Sequence, residues 1–186
     1  MSHVDEYQDR VFSQLCRDYP DWRLERTDGE IRMMTPAGAD SSERESKLNY
    51  QLVAWSEANG LGHVYSSSVG FRLPNGSILS PDASWIAQER WVSLSRRERR
   101  GFPHICPDFV AELLSPSDRL PVLQAKLHEF IEQGARLGWL IDPDRRVVEI
   151  YRPGQSVDVL VDPPTLSGED VLPGFVFSLT GIFGDY

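Results

Sequence analysis

Asp108-Phe109-Val110-Ala111-Glu112-Leu113-Leu114 is an almost unbroken apolar run of strand length with one carboxylate inside it. A run of this kind reads as a central strand covered on both faces. Side chains alternate along a strand, so Val110, Glu112 and Leu114 share one face and Phe109, Ala111 and Leu113 the other. Ser115-Pro116-Ser117-Asp118 then turns the chain. A helix follows from about Pro121 to Gln133, with proline suited to its first turn and Gly134 to its end. Its apolar stripe is Leu123, Leu127, Phe130 and Ile131. Leu137 to Ile141 is a second buried strand, Asp142-Pro143-Asp144 a turn, and Arg146 to Tyr151 a hairpin partner.

The rest of the chain fits around this strand–helix–strand unit. Residues 4–18 are helical, with Val4, Val11, Phe12 and Leu15 as apolar positions, and Pro20 ends the segment. Trp22 to Arg26 alternates, Asp28-Gly29 turns, and Ile31 to Met34 returns, which is a hairpin signal. Ser42 with Glu45 reads as a capping box opening a helix to about Asn59, with Gly60 as its stop. Leu48, Leu52 and Trp55 form its inner stripe, and Glu45 lies on that side. Strands are expected at 63–67, 69–73, 82–86, 157–161 and 175–179, and a short helix at 93–100. This order predicts one α/β domain, a mixed sheet with helices on both sides. Within it we expect an N-terminal helix and hairpin (1–36), a core (37–152) and C-terminal strands (153–186).

Composition narrows the function. The chain has 186 residues, enough for one domain and one core. No apolar run approaches the ~20 residues of a membrane span. The segment Met1 to Glu6 is polar and acidic, unlike a signal peptide. Cys16 and Cys106 are far apart and fit no metal spacing, so a reduced cytoplasmic compartment is the simplest expectation. The net charge of −9 argues against a protein that coats nucleic acid, though not against a local basic cleft. There is no nucleophile elbow and no Gly-rich phosphate loop. His3, His63, His104 and His128 show no ligand spacing.

Three residues carry the chemistry. Glu112 is costly to bury unless paired, protonated or bound to metal. Asp82 follows Pro81 at the start of a strand, where the fixed chain direction can aim its side chain. Lys126 is one of two lysines, with Lys47, beside 17 arginines. A compact ammonium can meet a single oxygen in a confined site, where a forked guanidinium fits poorly. Each has a plain structural alternative: an arginine pair for Glu112, a turn cap for Asp82, a snorkelling lysine for Lys126.

Taken together, Ser80-Pro81-Asp82, Pro107-Asp108 through Glu112 to Asp118, Lys126-Leu127-His128-Glu129-Phe130, Gly134 and Trp139 to Pro143 form a pattern. It resembles the Uma family of putative restriction endonucleases, within the PD-(D/E)xK nuclease superfamily. The likeness spans roughly residues 30–180. It implies a restriction-endonuclease-like core and a metal-dependent endonuclease acting on DNA. Asp82 and Glu112 would be the Mg²⁺ ligands, with Mn²⁺ able to substitute, and Asp82, Glu112 and Lys126 the catalytic set. The family's usual lysine would fall at position 114, where this chain has Leu114, and the resemblance suggests that Lys126 replaces it from the following helix. An acid of the first core helix often joins such sites; Glu45, Glu43 and Asp40 are the candidates. Cutting both strands of a duplex suits a homodimer. The alternative is a catalytically silent domain of this fold that binds nucleic acid or a protein partner.

Overall fold

The computed structural model describes residues 3–27 and 29–183, with side chains from residue 7 onward. The expected roles of Val4 and Asp28, and the polar stretch Met1 to Glu6 as far as its side chains go, lie outside the described residues. In chain order the elements are α1 (His3–Asp18), β1 (Arg23–Thr27), β2 (Glu30–Met34), α2 (Ala39–Asn59), β3 (Gly62–Ser66), β4 (Phe71–Arg72), β5 (Ile78–Leu79) and β6 (Ala83–Ala87). Then come α3 (Gln88–Val92), a 3₁₀ turn (Glu98–Arg100), β7 (Phe109–Leu113), α4 (Leu120–Glu132), β8 (Leu137–Asp142), β9 (Val147–Tyr151), β10 (Asp158–Val161), β11 (Thr165–Ser167) and β12 (Val176–Ser178).

Six strands form the main sheet in the order β10-β9-β8-β7-β6-β3. β7 and β8 are parallel and joined by α4; the other pairings are antiparallel. The sheet is therefore mixed, and the apolar run at 109–113 lies inside it, as its composition requires. Strand parity sorts its residues as expected. Phe109, Ala111 and Leu113 pack with Leu48 and Leu52 of α2 on one face. Val110 packs with Leu123, Leu127 and Phe130 of α4 on the other. Gly138 on β8 lets α4 come close: a Cβ there would sit 2.7 Å from Leu127 Cδ1, the residue next to Lys126.

A second sheet, ordered β2-β1-β5-β4, is smaller. The hairpin β1–β2 pairs in full register from Arg23↔Met34 to Thr27↔Glu30, and β1 is joined to β5 through Arg26↔Ile78. Leu24 faces a small core with Phe12 and Ile78. Asp9 of α1 binds both Arg26 (2.7 Å) and Arg72 (2.9 Å), which ties the N-terminal helix to this sheet. The C-terminal residues Leu166, Leu172, Phe175 and Phe177 complete the α2-side core of the main sheet.

Three local expectations differ. α2 starts at Ala39, because Gly38 is its N-cap and Ser42 N–H donates to Gly38 O (3.0 Å). Ser42 is thus already inside the helix, and Glu45 instead accepts from the Ser67 hydroxyl (2.6 Å). The helix expected at 93–100 is reduced to the 3₁₀ turn Glu98–Arg100, and α3 lies just before it at Gln88–Val92. Ser95 and Glu98 cap each other reciprocally, Ser95 N–H to Glu98 Oε2 (2.8 Å) and Glu98 N–H to Ser95 Oγ (3.3 Å). That pair starts a fresh 3₁₀ turn instead of continuing α3. Finally, the strand expected at 69–73 shrinks to Phe71–Arg72 and gains β5 as its partner across the Pro74–Gly76 turn.

Candidate active site

The parallel pair β7–β8 and its crossover helix determine where the chemistry gathers. Glu112 lies on the α4 face of β7, and Lys126 falls in the buried stripe of α4 between Leu123 and Phe130. The two meet: Lys126 Nζ is 2.8 Å from Glu112 Oε1, with side chains 6% and 1% exposed. This depth excludes the snorkelling alternative for Lys126. Asp82 directly precedes β6. Ala83 stands opposite Ala111, so the antiparallel register, continued by one residue, sets Asp82 opposite Glu112. Asp82 Oδ2 accepts the Leu113 N–H (2.9 Å), and its backbone carbonyl accepts from Asn49 Nδ2 on α2 (2.9 Å). Asp82, Glu112 and Lys126 thus come together from three separate elements.

Two further residues share the cluster, both from β1. Arg23 Nη1 lies 3.0 Å from Asp82 Oδ1. Glu25 Oε1 lies 2.7 Å from Lys126 Nζ and accepts the Ser80 N–H (2.9 Å). Lys126 in turn donates to Ser80 O (2.9 Å). The alternation of Trp22 to Arg26 already put Arg23 and Glu25 on one face. A charged face of a hairpin reads as solvated, and nothing local says that the main sheet covers it.

Of the first-helix acids, Glu45 binds Ser67, and its carbonyl accepts from the same Asn49 amide (3.0 Å) that holds Asp82. Glu43 pairs with Lys47 (2.7 Å) at the surface, and Asp40 is exposed in the first turn. Leu114 is half-buried among the α4-side apolar residues, and its N–H extends the ladder to Ile141 O (2.8 Å). The hollow along α1, lined by Asp9, Arg10 and Arg17 among others, shares no residue with the cluster.

The electrostatics follow from burial. Glu112 is pushed up to about 8, first by desolvation, which Lys126 opposes and the neighbouring Asp82 and Glu25 reinforce. Burial alone would pull the Lys126 ammonium down; Glu112 and Glu25 outweigh it and hold the group above its ordinary value. Arg23 is likewise held above its ordinary value: burial opposes this, and Asp82, then Glu112, outweigh it. Three carboxylates thus face two cations, a formal excess of one negative charge.

A divalent cation suits this arrangement. Glu112 Oε1 is buried and faces the Lys126 ammonium at 2.8 Å. That contact is an ion pair, and the formal excess of one negative charge in the cluster is what a bound cation would offset. Asp82 and Glu112 would supply two hard oxygen ligands of the kind Mg²⁺ takes. Among the described residues no group of three or more His, Cys, Asp or Glu forms a self-sufficient metal cage.

A raised carboxyl in the fold has a definite consequence for stability. Between the ordinary carboxyl value, 4.5, and about 8, folded Glu112 binds more proton than the unfolded chain does. Its contribution is therefore complete at low pH and is lost as pH rises through that window. In chelator-treated protein, Glu112→Gln should flatten the fall in urea-unfolding free energy between pH 5.5 and 8. Each tenfold of proton affinity is about 1.4 kcal/mol. Parallel slopes in the two proteins would remove Glu112 as the source.

A family model described as putative restriction endonuclease, Uma2, matches residues 9–180. The chain belongs to this family. Among solved structures, one similar chain is a putative nuclease belonging to DUF820 from Anabaena variabilis, 23% identical with a TM-score of 0.73. The match covers 86% of this chain and 89% of that one, and shows that they share a fold. No curated protein matches the chain. In this family member, the part resembling the nuclease motif accounts for Asp82, Glu112 and Lys126, while Arg23 and Glu25 come from the hairpin outside the expected core (37–152). No helix among the described residues is long and apolar enough to cross a membrane.

Proposed function

We propose that this protein is a metal-dependent endonuclease that hydrolyses phosphodiester bonds in double-stranded DNA, acting in the cytoplasm as a homodimer. The observation that carries the reading is the meeting of Asp82, Glu112 and Lys126 at one buried point, with Lys126 supplied by the helix after the Glu112 strand. Membership of a restriction-endonuclease family supports it. Asp82 and Glu112 would hold Mg²⁺, or Mn²⁺ in its place. When bound, the ion supplies Lewis acidity toward the scissile phosphate and a water of lowered pKa.

The chain's own residues do the rest. Lys126 places a compact positive charge beside Glu112, where it stabilises negative charge building on the phosphate and orients the attacking water. Arg23 stands at the open side of the cluster, its side chain 31% exposed against 12% for Asp82. Substrate therefore enters past a guanidinium, whose fork suits phosphate oxygens. Leu113 N–H and Asn49 fix the Asp82 carboxylate and backbone, so its direction is set before any ligand arrives.

The test is cleavage of supercoiled plasmid in Mg²⁺ or Mn²⁺, read beside calorimetric Mn²⁺ titration. The wild type should nick or linearise plasmid and lose this with chelator. Glu112→Gln should remain folded, bind Mn²⁺ at least tenfold more weakly and cleave nothing measurable. Wild-type protein inert with every divalent ion would instead support the silent binding domain. The Arg23 guanidinium already on Asp82 Oδ1 and Leu114 at the family's lysine position favour that second reading.

A further inference from the structure

Lys126 is placed by more than its partnership with Glu112. A lysine that reaches an active site from a neighbouring helix has four rotatable bonds to restrain, each a loss of freedom that some contact must offset. Glu112 holds one side of the ammonium, at 2.8 Å. If Glu112 becomes a metal ligand, its negative charge is shared with the ion and its hold on the ammonium weakens. Glu25 has no such double duty. Its Oε1 meets Lys126 Nζ at 2.7 Å with side chains 5% and 6% exposed. The same oxygen is anchored by the Ser80 N–H at 2.9 Å, and Ser80 O accepts from Lys126 at 2.9 Å. Carboxylate, peptide and ammonium close a triangle. Pro81 links that peptide to Asp82, so the triangle ties the lysine's position to the carboxylate two residues on.

We infer that Glu25 is a positioning residue for Lys126, holding the ammonium in the site from the N-terminal hairpin while Glu112 serves as a ligand. This rests on the nuclease reading, and it makes β1 part of the active site.

The experiment uses the full chain and the Glu25→Gln and Glu25→Asp variants. Gln keeps an oxygen for the Ser80 N–H and removes the charge; Asp keeps the charge one methylene further back. Two readouts are paired. In chelator-treated protein labelled with ¹³C at lysine Cε, only Lys126 and the half-exposed Lys47 give side-chain signals, and Lys47 serves as the internal reference. Wild-type Lys126 should show two inequivalent Hε protons and restricted motion. Glu25→Gln should average them, and Glu25→Asp should fall between. In plasmid cleavage, Glu25→Gln should lower kcat by about 10²-fold, the scale of a misplaced reacting group, with KM and Mn²⁺ affinity near wild type. Glu25→Asp should recover part of the rate.

An unchanged Lys126 signal in Glu25→Gln overturns the inference whatever happens to the rate. A wild-type rate in that variant overturns it whatever happens to the signal. If wild type itself cleaves nothing, the nuclease reading falls, and the lysine signal still decides whether Glu25 holds Lys126. Should Glu25→Gln fail to fold, the same two criteria apply to Glu25→Asp.

Discussion

Lys126→Met is expected to abolish plasmid cleavage and also to destabilise the metal-free protein near neutral pH. Methionine fills a similar volume, so packing against Leu123 and Phe130 is largely kept. The loss is electrostatic. Glu25 and Glu112 are left facing each other, 5% and 1% exposed, without the ammonium between them. Breaking a buried ion pair by removing one partner costs about 3–5 kcal/mol, and protonation of Glu112, already raised, relieves part of it. The destabilisation should therefore shrink as pH falls toward 5, where protonation is cheap. Mn²⁺, which returns positive charge to Glu112, should restore stability to this variant more than to wild type. Chemical denaturation at pH 5.5 and 8, with and without Mn²⁺, checks all three statements. Cleavage at wild-type rate by a folded Lys126→Met protein would assign the lysine a purely structural role. Lys126→Arg should rescue little, since a forked cation needs more room than the triangle of Glu25, Glu112 and Ser80 O leaves.

The dual effect could not be read from sequence. The helix stripe located Lys126 beside Leu123 and Phe130, and strand parity assigned Glu112 to the facing side, so their meeting was legible. Both are short-range patterns with a fixed period, and β7, α4 and β8 follow each other directly in the chain. Glu25 and Arg23 are another matter. Their alternation in β1 was visible, but their burial depends on the small sheet docking across Ser80 and Asp82, some 55 residues away in the chain. Long-range docking leaves no periodic trace in either segment. The same holds for α2: its Gly60 stop was legible, while Glu45 turned from an expected cap to Ser67 because the helix had already begun at Ala39. The short helix expected at 93–100 shows a further limit: the helical turns lie at Gln88–Val92 and Glu98–Arg100, and the reciprocal cap of Ser95 and Glu98 sets the start of the second. Local hydrogen bonds worth about 1 kcal/mol decide such boundaries, and periodicity does not register them.

Asp82→Asn should have the second large effect, and for a reason peculiar to its surroundings. An amide is normally a mild replacement for a carboxylate, because one oxygen remains as acceptor. Here both oxygens face donors: Oδ2 takes the Leu113 N–H, and Oδ1 takes the Arg23 guanidinium. Either orientation of asparagine therefore turns its NH₂ against a donor. If it faces Leu113, a buried backbone N–H loses its partner, at a cost of about 1–3 kcal/mol. If it faces Arg23, the guanidinium is repelled toward solvent, which its partial exposure makes the cheaper course. The amide should thus keep the Leu113 bond and release Arg23. Three results are expected. Stability should fall by about 1 kcal/mol or less, since the Leu113 bond is kept and the released guanidinium, 31% exposed, regains water. Mn²⁺ affinity should drop at least tenfold, because a charged hard ligand has become a neutral one. Cleavage should be lost. Chloride-dependent unfolding tests the first step: wild type should lose a small salt-sensitive increment that Asp82→Asn lacks, as screening weakens the Arg23 pair. Full Mn²⁺ affinity in Asp82→Asn would remove Asp82 from the ligand set. It would leave the Arg23–Asp82 pair as a structural clasp between the hairpin and the main sheet.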